Sequence, residues 1–421
     1  MHATLRPILS LLVGLFFLII GHGLQITLIP LRAQAEGWSS IQIGVLGSAY
    51  YVGFLGGCFG SPYLIRKVGH IRTFMALVSL FAATMAALPL LVTFPVWLAI
   101  RIVIGIALSG LYMTIESWLN DRASNTTRGL TMGFYIMVNY AALAVGQSAI
   151  TLYSPMEFSL FAIAALTISL SAIPLALTSQ TQPAPVALVR FRPMALYRAS
   201  PVGLVGAMMV GVANGAFWSL GAVAAVSAGM TTRSAAVFMA LATAAGALSQ
   251  WPVGRLSDRI DRRVVLIGLL VAASVFGVLL AFVPPVGKLW FILGIFFGMA
   301  IAPSYSICAA HTYDQAAPGS FFETAAGLFL ASATGSIIGP FVASLIMEGL
   351  GAPRLFLFTA VVQALMALYA YSRLKARPAP AGEIKAEFDL AASAPVGGPI
   401  MPEPLVEPPP PTKPGTGDAT A

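Results

Sequence analysis

Gly254-Arg255-Leu256-Ser257-Asp258-Arg259-Ile260-Asp261-Arg262-Arg263 puts six charged side chains into ten residues, in a chain of which only 9% is charged. Ordinary soluble domains carry about 25%. The flanks are apolar, over roughly 232–256 before the stretch and 264–285 after it. Each flank is long enough to cross about 30 Å of hydrocarbon at about 1.5 Å per helical residue. The ten residues therefore read as a tight charged turn between two membrane helices.

Working outward, the pattern repeats. Twelve apolar segments are expected at about 8–31, 41–65, 72–93, 96–119, 128–152, 157–177, 201–226, 232–256, 264–285, 288–311, 321–347 and 354–374. Of the 421 residues, 58% are hydrophobic. A soluble fold could not hide that much apolar surface, because its own surface must face water. Backbone groups in hydrocarbon need partners within a helix or a closed barrel, and runs this long lack the alternation of barrel strands. The expected fold class is an all-α polytopic membrane protein with twelve transmembrane helices. Arg6 and the Ala33-Gln34-Ala35 stretch resemble signal-peptide features, but the first run is too long for a signal h-region, so it reads as an uncut helix. Cys58 and Cys308 fall in apolar runs of opposite halves and suggest neither a disulfide nor a metal cluster.

Lysine and arginine set the orientation. With the N-terminus inside, inner loops and termini hold 18 of the 23, the outer loops hold Arg32, Arg233, Lys288 and Arg354, and Arg101 lies within a segment. This bias places both termini in the cytoplasm, in an inner-membrane protein. The net charge of +8 then reflects retained cytoplasmic residues and not nucleic-acid binding. Trp38, Trp97, Trp118, Trp251 and Trp290 sit at segment ends, as an aromatic belt would. The expected organisation is an N-terminal six-helix half (1–178), a cytoplasmic linker (179–200), a C-terminal half (201–376) and a tail (377–421). The linker carries Arg190, Phe191, Arg192 and Arg198 and suits an inner membrane surface. The tail holds 11 prolines in 45 residues and reads as disordered.

The two halves repeat. A shift of 193 residues superposes Trp97 on Trp290, Gly105 on Gly298, Tyr112 on Tyr305, Asp121 on Asp314 and Gly146 on Gly339; a shift of 192 sets His22-Gly23 against Asn214-Gly215. Matched Trp, Tyr and Asp at one shift are not cheap coincidences. Parallel six-helix repeats joined by a linker point to two bodies rocking about a central site.

The opening stretch resembles the G-x-L-x-D-R-x-G-R-R signature of the major facilitator superfamily. Leu64-Ile65-Arg66-Lys67-Val68-Gly69-His70-Ile71-Arg72, Ile115-Glu116-Ser117-Trp118-Leu119-Asn120 and Gln250-Trp251-Pro252 resemble, more narrowly, its YcaD-like branch. The resemblance covers residues 8–375 and implies the twelve-helix, two-half fold of a secondary carrier. It implies that Gly254 lets helices approach and that Asp258, Arg259 and Arg262 latch the cytoplasmic side. In the equivalent loop after the second segment, Pro62 and Arg66 replace the first glycine and the acid. A charge-swapped pair of latches is one expectation, Arg66 to Glu323 and Asp258 to Arg128; Ser320 and Glu323 also read as a capping box.

Arg101 is the charge that stands out, because an arginine at mid-bilayer is costly. It reads either as snorkelling outward or as facing the cavity to bind anions or tune a proton site. Gly105, Tyr112 and Glu116 share its helical face at about 100° per residue. Glu116 is a candidate proton carrier or inner-gate residue. The resemblance implies a cavity lined by helices one, four, seven and ten. That nominates His22 and Gln25, Asn214 with Phe217 and Trp218, and Tyr305; Asn139 and Gln147 add polar groups from the fifth helix. His22 reads as a titrating group or as a buried, hydrogen-bonded histidine. The glycine–proline motif of family drug antiporters is absent from the fifth segment, where Gly146-Gln147 stands, and appears in the eleventh as Gly335-Ser336-Ile337-Ile338-Gly339-Pro340.

No phosphate loop, H-E-x-x-H, C-x-x-C or G-x-S-x-G is present in the sequence, which disfavours an ATP-driven pump or an enzyme. The expected function is a monomeric secondary carrier of a small solute working by alternating access. It is expected to couple to protons without a cofactor, and efflux is preferred by family analogy. An uptake carrier of a small metabolite or organic anion, and a transporter-like sensor without flux, are the alternatives.

Overall fold

The computed structural model describes residues 8–122, 128–178, 183, 193–285, 287–316 and 321–376. The linker residues Arg190, Phe191 and Arg192, the 377–421 tail, Ser320 and the Arg128 side chain lie outside the described residues. Among the described residues, twelve helices are long and apolar enough to cross a membrane. We label them α1 (Leu9–Ala35), α2 (Ser40–Val68), α3 (His70–Ala87), α4 (Phe94–Arg122), α5 (Arg128–Ser148), α6 (Phe158–Ala176), α7 (Pro201–Ser227), α8 (Thr232–Arg259), α9 (Arg262–Phe282), α10 (Leu289–Tyr313), α11 (Phe321–Leu350) and α12 (Arg354–Ala376). A short linker helix, Pro193–Ala199, precedes α7.

Local chemistry sets the boundaries. Ser39 caps α2 in a reciprocal box, its hydroxyl accepting from Gln42 N (3.2 Å) while Gln42 Oε1 accepts from Ser39 N (3.0 Å). Gly69, at φ +86°, makes the sharp corner between α2 and α3 that a side chain would resist. Thr231 caps α8, and the Asp261 carboxylate caps α9 at Arg263 N (2.9 Å). Burial opposes the charge on Asp261, but hydrogen bonds from Arg263 overcome it and hold the carboxyl below its usual range. Within α6 the helix is interrupted at Ser171, three residues before Pro174, which cannot donate to Leu170 and crowds that turn.

The packing repeats between halves. Helix α1 lies on α5 as α7 lies on α11, α2 on α4 as α8 on α10, and α3 on α6 as α9 on α12. Glycines sit at the crossings. A Cβ on Gly53 would strike the Ile102 backbone and one on Gly105 the Tyr50 backbone; their counterparts Gly246 and Gly298 face Gly298 and Ala242. Gly146 meets Ile20, and Gly339 meets Val212. Close backbone approach of this kind is how helices associate in lipid, where burial of apolar surface gives no net drive. Trp97 Nε1 donates to Leu88 O (3.1 Å) and Trp290 Nε1 to Val283 O (2.8 Å), so the matched tryptophans lock equivalent corners.

The aromatic-belt expectation needs correcting. Trp97, Trp118 and Trp290 are fully buried inside the protein. Among the five, Trp251 is the exposed one, with Arg255 stacked 3.8 Å above its ring. Segment-end position alone does not say which way a ring points. The outer surface is instead lined by side chains such as Leu90, Leu166, Leu248 and Leu368, each more than 60% exposed, as a lipid-facing wall requires.

Candidate functional site

The halves meet where α2 faces α11 and α5 faces α8. We call the face holding residue 9 and the linker helix the terminal face, and the opposite one the distal face. Near the distal face hydrogen bonds tie the halves together. Gln34 Nε2 donates to Ser227 Oγ (2.8 Å), Ser40 N to Glu348 Oε2 (2.9 Å) and Ser48 Oγ to Ile337 O (2.7 Å). Thr243 Oγ1 donates to Gln147 Oε1 (2.7 Å). Gly44 and Gly47 lie against Ser344, Ser219 and Pro340, so α2 and α11 touch closely there.

Behind this closure, at mid-depth between the halves, lies a cavity of about 280 Å³. Side chains nominated from the sequence line it, among them His22, Tyr112, Asn139, Asn214, Trp218 and Tyr305. Gln147 joins them, but its oxygen is taken by Thr243. Sequence reasoning missed the contribution of α2 and α11, which supply Tyr50, Tyr51 and Phe54 on one side and Phe329, Ser332 and Ser336 on the other. A visible signal existed in α2, the cluster Tyr50-Tyr51-x2-Phe54. Tyr140 and Ser306 complete the polar lining. Among the described residues, no Asp, Glu, Lys or Arg lines this cavity.

Arg101, Gln25 and Glu116 do not line it. Arg101 is 2% exposed, so it does not snorkel outward. Its Nε donates to Leu46 O (3.1 Å), its Nη1 donates to Gln25 Oε1 (2.9 Å), and its Cζ lies 4.7 Å from the Tyr50 ring centre. Leu46 sits one turn before Tyr50 on α2, so the guanidinium bridges α1, α2 and α4 behind the cavity wall. Gln25 continues the chain to His22, with 3.0 Å between Gln25 Nε2 and His22 Nδ1. The expectation that Arg101 faces the cavity to bind an anion is corrected accordingly: the Tyr50 and His22 rings, stacked with centres 6.2 Å apart, stand where the cavity begins.

Glu116 is fully buried, and its Oε1 accepts a hydrogen bond from Tyr135 of α5 at 2.6 Å. One turn nearer the distal face, Tyr112 of α4 donates to Asn139 Oδ1 of α5 at 2.9 Å. The shared face expected for Arg101, Gly105, Tyr112 and Glu116 meets different partners at different depths, and Tyr112 also packs on Phe54 of α2 (ring centres 6.5 Å). Arg101 and Gly105 contact α2, and Tyr112 and Glu116 hydrogen-bond to α5.

On the terminal face, the described contacts of the signature charges fall in the C-terminal half, and the expected latch from Asp258 to Arg128 lies outside the described residues. Arg262 Nε donates to Asp314 Oδ2 (2.8 Å) at the end of α10, Nη1 to Ser257 Oγ (3.3 Å), and Nη2 lies 3.5 Å from Asp258 Oδ1. Arg262 thus fastens the ends of α8 and α10 to the start of α9. Gly254 is buried near this corner, while Arg259 is exposed. Arg66 is exposed, and among the described residues no ion pair joins it to half-buried Glu323. The charge-swapped latch from Arg66 to Glu323 is not formed in this structure. At the position that matches Arg262 the N-terminal half has Gly69, so it lacks a counterpart of the clamp.

Twelve helices in two repeated halves around a central cavity define a carrier fold. The family model for the Major Facilitator Superfamily matches residues 11–312 and 203–409, and the chain belongs to that superfamily. Its curated relatives include an MFS-type transporter termed YcaD, uncharacterised, from Escherichia coli and Shigella sonnei. It is 28% identical over 275 residues, covering 63% of this chain and 70% of the relative. Among solved structures, the nucleoside transporter NupG is similar at TM-score 0.72 and 13% identity, over 87% of this chain and 98% of that one. A bacterial homologue of the human lysosomal transporter Spinster, in an inward-facing and occupied conformation, is similar at TM-score 0.71 and 16% identity, over 89% and 98%. At these identities the likeness concerns the fold.

Proposed function

We propose that this secondary transporter moves a small solute by alternating access, holding it in the 280 Å³ cavity. The observation that carries the reading is the position of that cavity between two halves that are hydrogen-bonded to each other at the distal face. Rocking the halves would break those bonds and make others toward the terminal face. The arginine and lysine distribution supports cytoplasmic termini in an inner-membrane protein, and on that reading the closed distal face is outside.

Coupling to protons runs through Glu116. Its carboxyl joins α4 to α5 through Tyr135, one turn from the Tyr112–Asn139 bond at the cavity wall. A change in its protonation would redistribute the hydrogen bonds that set the spacing of these helices, and with it the position of Asn139. Export is the direction favoured by family analogy alone. The test is flux into and out of proteoliposomes under an imposed pH gradient, for solutes that raise the melting temperature of the purified protein. A stabilising solute that moves only when the gradient is present supports the reading. Chemical conversion of the solute, or binding with no flux under any gradient, overturns it.

A further inference from the structure

The chain from Arg101 through Gln25 to His22 fixes a proton. Arginine has donors and no acceptor, so the Gln25 atom 2.9 Å from Arg101 Nη1 must be the amide oxygen. The amide nitrogen is then the atom facing His22 Nδ1 at 3.0 Å. An amide nitrogen donates and does not accept, so Nδ1 is the bare, accepting nitrogen of the ring. The ring proton therefore sits on Nε2. No hydrogen bond from Nε2 occurs among the described residues, and the His22 side chain lines the cavity while being 6% exposed. That N–H opens into the cavity, where a bound solute can accept it in place of water.

We propose that the cavity selects an uncharged, flat solute carrying a hydrogen-bond acceptor, which it docks on His22 Nε2–H. Arg101 is a positioning residue that acts through Gln25 and touches no solute. This rests on the cavity being the solute site. The lining supports the class: Tyr50, Tyr112, Trp218 and Phe329 give flat apolar walls, and Asn139 and Asn214 give neutral polar ends. With no charged side chain among the described lining residues, a carboxylate or ammonium would be desolvated without an ion-pair partner in contact with it. A second ring proton would set Nδ1–H against the Gln25 amide hydrogens, so His22 serves as a fixed donor and proton coupling belongs elsewhere.

The experiment uses the full chain in detergent. Ring-¹⁵N NMR of histidine-labelled protein reads the tautomer, with His22→Asn identifying the signal. Binding of 2-acetonaphthone (uncharged, acceptor only), 2-naphthoate and 2-naphthylmethylamine reads the solute class. The expected result is a bare Nδ1 and a protonated Nε2 at His22, with the ketone binding at least about tenfold more tightly than either charged probe. Gln25→Glu puts an acceptor opposite Nδ1 in a side chain of the same shape. It should move the proton to Nδ1 and weaken the ketone at least about tenfold, a change a merely structural role would not produce. A proton on Nδ1 in the unaltered protein, tighter binding of 2-naphthoate, or no binding of any probe at millimolar concentration overturns the inference. Ketone binding that Trp218→Ala and Asn139→Ala leave unchanged overturns it together with the cavity reading, whereas a wrong tautomer overturns the inference alone.

Discussion

Tyr135 donates a 2.6 Å hydrogen bond to Glu116 inside the protein, tying α5 to α4 one turn to the terminal side of the Tyr112–Asn139 bond. Protonating that carboxyl, at either oxygen, removes its negative charge and weakens the bond it accepts from Tyr135. Glu116→Gln should therefore retain solute binding and solute–solute exchange within about threefold, because the residue lies outside the cavity lining. Uphill flux driven by a pH gradient should fall to background. Tyr135→Phe should shift the pH at which flux is half-maximal while leaving the maximum nearly unchanged. Proteoliposome flux across a pH series checks both; gradient-driven accumulation by Glu116→Gln would remove the residue from coupling.

Arg262 and Asp314 form a buried ion pair, with side chains 1% and 4% exposed. Removing one partner of such a pair strands the other charge, at a cost of about 3–5 kcal/mol. Arg262→Ala should accordingly lower the melting temperature sharply, and Arg262→Met combined with Asp314→Leu should recover much of the loss. Thermal unfolding in one detergent measures it. A double variant no better than the single would show that Ser257 and Asp258 hold Arg262 as strongly as Asp314 does.

Asp261 carries a pH signature. Its folded-state acidity is strengthened by Arg263, so its pKa lies below that of the unfolded chain. The stability it contributes is present above the unfolded carboxylate value, near pH 4, and is lost as pH falls through the lower folded value. Asp261→Asn should thus melt earlier than the natural protein at pH 7, and the gap should close as the pH is lowered below about 4. Asn also caps a helix, so a gap that stays constant with pH would assign the effect to the altered hydrogen bonds with the Arg263 side chain and not to titration of the carboxylate.

The glycines separate by what surrounds them. Gly146→Ala and Gly339→Ala press a methyl group into the backbones of Ile20 and Val212, and neither backbone can move without shifting a helix. Both should depress folded yield severely. Gly56 has open space around its Cβ direction and sits exposed in α2, so Gly56→Ala should be neutral or slightly stabilising. Size-exclusion profiles of detergent-extracted protein distinguish the outcomes.

Much of this architecture was legible because lipid makes it so. An apolar run of bilayer length has few alternatives to a helix, and matched rare residues exposed the repeat. Rotation of each helix was not legible. Tyr50 and Tyr63 belong to the same helix, yet Tyr50 is 4% exposed at the cavity and Tyr63 is 61% exposed at the surface. In a soluble protein polarity would separate such faces, but in a bilayer the lipid-facing and protein-facing sides are both apolar. For the same reason Trp118 and Trp290 read as belt residues and proved to be buried. Arg101 was visible as a costly charge, but its partner Leu46 O is a backbone atom that no residue pattern announces.

Gln34 and Ser227 close the distal face with a side-chain hydrogen bond of 2.8 Å between the ends of α1 and α7. If the halves rock, this pair must separate in each cycle. Cysteines at both positions, in a background with Cys58 and Cys308 replaced by serine, should cross-link readily with an oxidant and arrest flux. Reduction should restore it. Solute binding from the terminal side should survive the cross-link, because the cavity lies behind this closure and none of its lining residues is altered. A cross-linked protein that still transports at the original rate would mean that the distal face does not open during transport, and the alternating-access reading would fall with it.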